Sequence, residues 1–221
     1  MKITELTLAT PHPDEMKKFY GGALGFTEIE AGSDTDGFSF QAGHTRLNFI
    51  PGDRDAKYHF AFNIKPDQLN DAMKWINNCG VELVYSPEDK GVIVDFPDWW
   101  AKSVYFFDPA GNIVELIARG GIGAAGNAPA FSASSIVGVS EIGIVTDDVV
   151  SMREWIETTH GISAFSRHNN TDQFSVLGND HGLILIASAG RKWLMGNFEA
   201  KHFSLSITGE NEGKEFKLLL P

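Results

Sequence analysis

Cysteine is almost missing from this chain. Cys79 stands alone among 221 residues, which excludes an internal disulfide framework and fits a reducing compartment. Basic charge is scarce as well: 18 Lys and Arg face 29 Asp and Glu, for a formal charge of −11. No basic run offers the patch that phosphate backbones require, so nucleic acid is not an expected partner. No apolar run approaches the roughly 18 residues of a membrane span. The N-terminus opens on an alternating segment, without the charged start and apolar stretch of a signal peptide. Neither a P-loop nor a Gly-x-Ser-x-Gly elbow is present. The expectation is a cytoplasmic globular protein. With 43% hydrophobic residues and this length, roughly 70% of the unfolded surface can be buried, enough for one or two cores.

What is present is organised by a composition shift. Glycine and small residues crowd positions 120–135, from Gly120-Gly121 through Ala128-Pro129 to Ser134-Ser135, which reads as a flexible linker. It divides residues 1–119 from residues 136–221. Residues 4–10 alternate as a half-buried strand, and Pro11 to Asp14 punctuate a helix start. Met16, Phe19, Tyr20 and Leu24 recur at helical spacing up to Gly25, a C-terminal glycine. Strand-like stretches follow at 27–30, 37–41 and 46–50. The same order returns with a strand at 59–64, a helix at 67–78, and strands at 81–85, 103–107 and 113–117.

Beyond the linker the order begins once more. An offset of 136 carries Glu5, Met16 and Gly25 onto Glu141, Met152 and Gly161 without a gap, so an internal repeat is expected. A fourth copy starts at Lys201-His202-Phe203, like Tyr58-His59-Phe60. Only 19 residues follow His202, too few for a helix and three further strands.

Strand parity locates the chemistry. In each first strand the apolar residues of one parity cover the helix, and the opposite parity leads with an ionisable residue: Glu5, His59, Glu141 and His202. In the last strand Val114 and Leu116 take the helix side, while Glu115 shares the other face with Ile113 and Ile117. A carboxylate on a concave sheet face is costly to bury unless it is paired or metal-bound. Glu5, His59 and Glu115 would together offer two oxygens and a nitrogen to a divalent cation.

The stretch Trp99 to Leu116, with its Asp108-Pro109-Ala110-Gly111-Asn112-Ile113-Val114-Glu115-Leu116 string, resembles the closing motif of a vicinal oxygen chelate module. That superfamily includes glyoxalase I, fosfomycin and bleomycin resistance proteins, and extradiol dioxygenases. Phe19-Tyr20 and Leu24-Gly25-Phe26 resemble the helix end of its opening module. The likeness covers residues 1–119 and, more faintly, 136–208. It implies an α+β fold of paired βαβββ modules forming a cupped mixed sheet, here in two such domains with the second incomplete. It also implies metal ligands at Glu5, His59 and Glu115. Asn48 stands where glyoxalases carry a fourth ligand, a carboxylate.

The function implied is a divalent-metal enzyme (Mn, Fe, Ni or Zn) acting on a small oxygenated molecule. Glu5 is a candidate proton carrier, and lyase, isomerase or group-transfer chemistry is favoured over ring cleavage, which in that superfamily is associated with two histidines. The alternative is a metal-free protein that sequesters an aromatic compound. Arg46, Asn48, Trp100 and Tyr105 are the candidate substrate contacts, with Phe96 and Trp99 as further pocket walls. Plainer readings remain beside these: His59 as a core histidine, Glu115 as a vestige, and Glu5 as a strand-edge carboxylate. His12, His44, His160, His168 and His181 read as surface residues and Cys79 as packing. The C-terminal half reads as silent, standing in for the second subunit of a dimer, so the chain is expected as a pseudo-dimeric monomer or a homodimer.

Overall fold

The computed structural model describes residues 1–30, 37–52, 55–126, 129–196 and 198–221. The first strand, β1 (Lys2–Thr10), buries Ile3, Leu6 and Leu8. Pro13 opens α1 (Pro13–Lys17), where its missing N–H costs nothing, and the helix widens into a π-type turn over Lys18–Ala23. Gly25, at φ +73°, turns the chain out of it. Next come β2 (Thr27–Ile29), β3 (Phe38–Ala42) and β4 (Thr45–Pro51). The second module holds β5 (His59–Ile64), α2 (Leu69–Asn78), β6 (Val94–Phe96), β7 (Ala101–Phe107) and β8 (Ile113–Arg119). The third holds β9 (Gly138–Thr146), α3 (Val149–His160), β10 (Phe174–Asn179) and β11 (Gly182–Ser188). A last pair, β12 (Leu205–Asn211) and β13 (Lys214–Leu220), follows with no helix between them.

The strands form two curled mixed sheets. One runs β13-β12-β1-β4-β3-β2 and the other β10-β11-β9-β5-β8-β7-β6. The fold class is that of paired βαβββ modules, as the sequence implies. The pairing crosses the linker, however. The second module joins the third through antiparallel β5 and β9, and the first joins the last two strands through antiparallel β1 and β12. The boundary at residues 119 and 136 therefore separates strands that share a sheet. The inner faces of both sheets and the helices meet in one large core that includes Tyr20, Phe40, Phe49, Phe62, Ile142 and Ile207.

Residues 120–135 differ from a loose tether where they are described. Ile122, Phe131 and Ala133 are buried, and Ser132 and Ser135 cap each other across a short turn. Ala128, within the expected linker, lies outside the described residues. Residues 81–85 pair only through Val84 N–H to the Tyr105 carbonyl, and the edge of the sheet is β6 instead. The histidines also divide. His12 and His181 are exposed, whereas His44 is half-buried against Gly138. His160 packs on Trp155 and Phe216, and His168 on Trp99 and Phe174.

The Asp-Pro-x-Gly-Asn string does structural work in the turn before β8. Buried Asp108 accepts from the backbone N–H groups of Ala110 and Asn112, from the Asn112 amide and from the Tyr20 hydroxyl. Asn112 in turn accepts from the Tyr58 N–H, and Gly111 supplies a φ of +79°. This lock fixes where β8 begins, and so where Glu115 points.

Candidate metal centre

The site is built on the central strand of the second sheet. Ala61 on β5 lies opposite Glu115 of the parallel neighbour β8 and opposite Glu141 of the antiparallel neighbour β9. His59, two residues earlier, shares the face of Ala61. Ala61, on the strand between the two carboxylates, carries only a methyl group, and a longer side chain there would project between them. Ligand atoms of His59, Glu115 and Glu141 all lie within 4.8 Å of one another, and all three residues are buried.

A bulge aims Glu141. Between β5 and β9 the register slips by one residue, with Ala61 opposite Glu141 but Phe62 opposite Val139. The extra residue turns Ser140 and Glu141 together away from the core. Both meet Arg119, a fully buried guanidinium. Its Nε donates to Ser140 Oγ at 3.2 Å and its Nη2 to Glu141 Oε1. The rings of Trp99 and Phe165 lie 5.6 and 5.9 Å from the Arg119 Cζ.

His59 is oriented with equal care. Its Nδ1 faces the Ile113 carbonyl at 3.3 Å, so Nε2 is left toward the carboxylates, 3.5 Å from Glu115 Oε2 and 4.0 Å from Glu141 Oε2. The imidazole sits between Tyr105 and Trp193, at ring distances of 6.3 and 5.5 Å. Gly143, two residues past Glu141, permits that approach, because a Cβ there would run into the Trp193 indole. Burial pushes the His59 pKa down to about 4, against the pull of the Ile113 carbonyl. Burial first, and then the charge of Glu141, push Glu115 up to about 8, opposed by the neighbouring Ser103 and Tyr105 hydroxyls and the charge of Arg119. Glu141 is raised by burial while Arg119 holds it down.

The donor set fits a divalent cation. A backbone carbonyl on Nδ1 fixes the ring and leaves Nε2 free, the usual arrangement of a ligating histidine. Ligand atoms about 2.0–2.2 Å from one ion lie roughly 3–4 Å apart, and Nε2 of His59 lies 3.5 and 4.0 Å from the two carboxylates. With Arg119 paired to Glu141 alone, ionisation of Glu115 leaves one buried negative charge uncompensated, which a cation would balance. Above the triad is a cavity of about 180 Å³ walled by Phe96, Trp99, Tyr105, Phe174 and Trp193, with Arg191 also lining it.

The family model of the Glyoxalase/Bleomycin resistance protein/Dioxygenase superfamily matches residues 2–116. The chain belongs to this superfamily. A search of curated proteins found none that matches. Among solved structures, a Bacillus subtilis protein provisionally described as a dioxygenase overlays with a TM-score of 0.61 at 17% identity. The overlay covers 85% of this chain and 63% of that protein's length. The lactoylglutathione lyase of Agrobacterium tumefaciens (19% identity, TM-score 0.42) is matched over 52% of this chain and 92% of its own. A glyoxalase/dioxygenase from Nostoc punctiforme (21%, TM-score 0.41) is matched over 53% and 90%.

Within this superfamily chain, His59, Glu115 and Tyr105 line one cavity. Phe96 and Trp99 wall the same cavity, whereas Glu5, Asn48, Arg46 and Trp100 lie elsewhere. Glu5 is on the first sheet, where Asn48 Nδ2 donates to its Oε1 at 2.9 Å. Asn48 also donates to Thr7 and accepts from Ser39, and Arg46 donates to the Glu30 carbonyl at 2.6 Å. Trp100 is 62% exposed against Gly120, away from the cavity. The reason is the pairing of modules: β1 abuts β12, so Glu5 faces a cup whose partners come from the last two strands.

That cup carries different chemistry. Glu5 opposes Thr208 across a bulge like that of Glu141. Thr208 thus takes the place of Ala61, Ser206 that of His59, and Lys217 lies opposite Thr208 on β13. A lysine thus stands at the register position where the second sheet carries Glu115, and a serine where it carries His59. His202, expected to match His59, precedes β12 and faces exposed Asp147 at 3.2 Å. Glu141 is the functional candidate assigned to the silent half. The offset of 136 that equates it with Glu5 was the signal that could have found it.

Proposed function

We propose that the chain is a divalent-metal enzyme of glyoxalase type, acting on a small oxygenated molecule by lyase, isomerase or group-transfer chemistry. The observation that carries this is the buried His59, Glu115 and Glu141 cluster at the floor of an aromatic cavity. A bound cation would act as a Lewis acid, polarising a substrate oxygen and stabilising the charge that develops on it. The protein's part is to hold that environment ready. His59 presents Nε2 in a fixed tautomer, and Arg119 aims Glu141 and favours its ionised form. Tyr105, opposite Glu115 on β7, presents its hydroxyl to a carboxyl whose proton is retained to about pH 8 and must leave when a cation enters. Trp99, Phe174 and Trp193 exclude water from the reacting oxygens, which strengthens each polar interaction beneath them. One histidine and two carboxylates favour these reactions over ring cleavage.

Elemental analysis of the purified protein tests the reading. One divalent ion per chain is expected, lost in His59→Ala and in Glu115→Gln. Metal uptake at pH 7 should release a proton, seen as a dependence of titration enthalpy on the buffer. The second reading is a metal-free protein that sequesters an aromatic compound. It draws on the aromatic walls and on Arg119, which already pairs with one carboxylate. A protein free of metal after exposure to Mn²⁺, Ni²⁺ and Zn²⁺, yet still binding an aromatic ligand, would favour that second reading.

A further inference from the structure

Arg191 is the one arginine or lysine among the described residues lining the cavity above His59, Glu115 and Glu141. Arg119 pairs with Glu141 and Arg167 with Asp180. Arg191 has no such carboxylate among the described residues. Its guanidinium carbon lies 4.3 Å from the centre of the Phe174 ring, and Nη1 donates to the Lys192 carbonyl at 3.2 Å. A guanidinium carries five N–H donors, so most of this fork is left for a ligand. Burial lowers its pKa with no anion to offset the cost.

The backbone beneath it is fixed. Arg191 N–H donates to the Ser188 carbonyl at 3.2 Å, and the Arg191 carbonyl accepts from Ala200 at 2.7 Å. Gly190 N–H donates to the Ala200 carbonyl at 2.9 Å, and Lys192 bridges to Glu199. The same loop delivers Trp193 onto His59. One rigid segment thus supplies both a wall and a cation, and the cation stands at the half-exposed rim while the carboxylates lie at the buried floor. An apolar cavity of roughly 150 Å³ accepts a benzene ring, so about 180 Å³ admits a single ring with a short polar substituent.

We propose that the substrate is a small aromatic carboxylate whose carboxylate is held by the guanidinium fork of Arg191. Its ring lies between Phe174, Trp193 and Phe96, and its oxygenated end points to His59, Glu115 and Glu141. Only the role of that oxygenated end rests on the metal-enzyme reading. Charge-assisted bidentate contact explains why the rim carries arginine in an otherwise acidic protein.

The test compares benzoate with benzamide, nearly the same shape without the charge, by calorimetric titration of the full chain with Mn²⁺ and again with EDTA. Benzoate should bind about tenfold more tightly, or ~1.4 kcal/mol. Arg191→Gln should erase the preference without changing metal content, and Arg191→Lys should keep part of it. Equal binding of the two probes, binding of neither, or a preference that survives Arg191→Gln would overturn the proposal. A chain that takes up no metal but keeps an Arg191-dependent preference would overturn the enzyme reading while supporting this one.

Discussion

Glu115 shows how burial turns one side chain into a sensor of its surroundings. Its pKa is raised to about 8 in the folded protein, above its unfolded value, so in the metal-free protein its contribution to stability is present at low pH and is lost as pH rises toward 8. His59, lowered to about 4, acts oppositely: its contribution is present above about pH 6.5 and is lost as pH falls toward 4. Between pH 6.5 and 8 the His59 effect is complete, while the Glu115 effect runs on beside that of Glu141, raised likewise by burial. Metal-free protein should therefore lose denaturant midpoint as pH rises across that window, and Glu115→Gln should flatten the trend. A rise in stability over the same window would contradict the assignment. Ala61 offers a second residue-scale test. Ala61→Leu fills the space between the carboxylates, and it should abolish metal uptake without exposing anything to solvent. Asp108→Ala strips the acceptor from four donors, at about 1–3 kcal/mol for each one left unsatisfied. Chemical denaturation should show a loss of at least about 3 kcal/mol.

At the scale of elements, strand parity and the turn before β8 were legible in the sequence, because a period of two and an Asp-Pro-x-Gly-Asn string are local signals. His59 and Glu115 follow from parity alone. Glu141 was visible as a repeat partner of Glu5, but its role was not, since which modules share a sheet is a long-range fact that no local pattern encodes. The bulge at Ser140 was equally hidden, because an inserted residue shows only against the strand it faces. Arg119 was missed for a related reason: at the end of an apolar strand it reads as an edge residue, until Ser140 and Glu141 arrive from beyond residues 120–135. Arg119→Met should leave Glu141 without its partner and weaken metal affinity about tenfold or more, with the fold retained. Unchanged affinity would show that the bulge alone positions Glu141.

For the whole molecule, the crossed pairing makes the two halves interdependent. A fragment ending at residue 119 keeps His59 and Glu115 but loses β9 and β12, exposing the antiparallel edges of both β5 and β1. Such bare edges favour aggregation, so the fragment should be poorly soluble and take up no metal. Adding residues 136–221 in trans should restore both. The central claim is that the metal centre belongs to the second and third modules together, and the most direct measurement is calorimetric titration of Mn²⁺ into Glu141→Gln and Glu5→Gln proteins side by side. The account predicts one site per chain in Glu5→Gln, with affinity like that of the unsubstituted protein, and a loss of at least tenfold in Glu141→Gln. Normal affinity in Glu141→Gln, or its loss in Glu5→Gln, would contradict it.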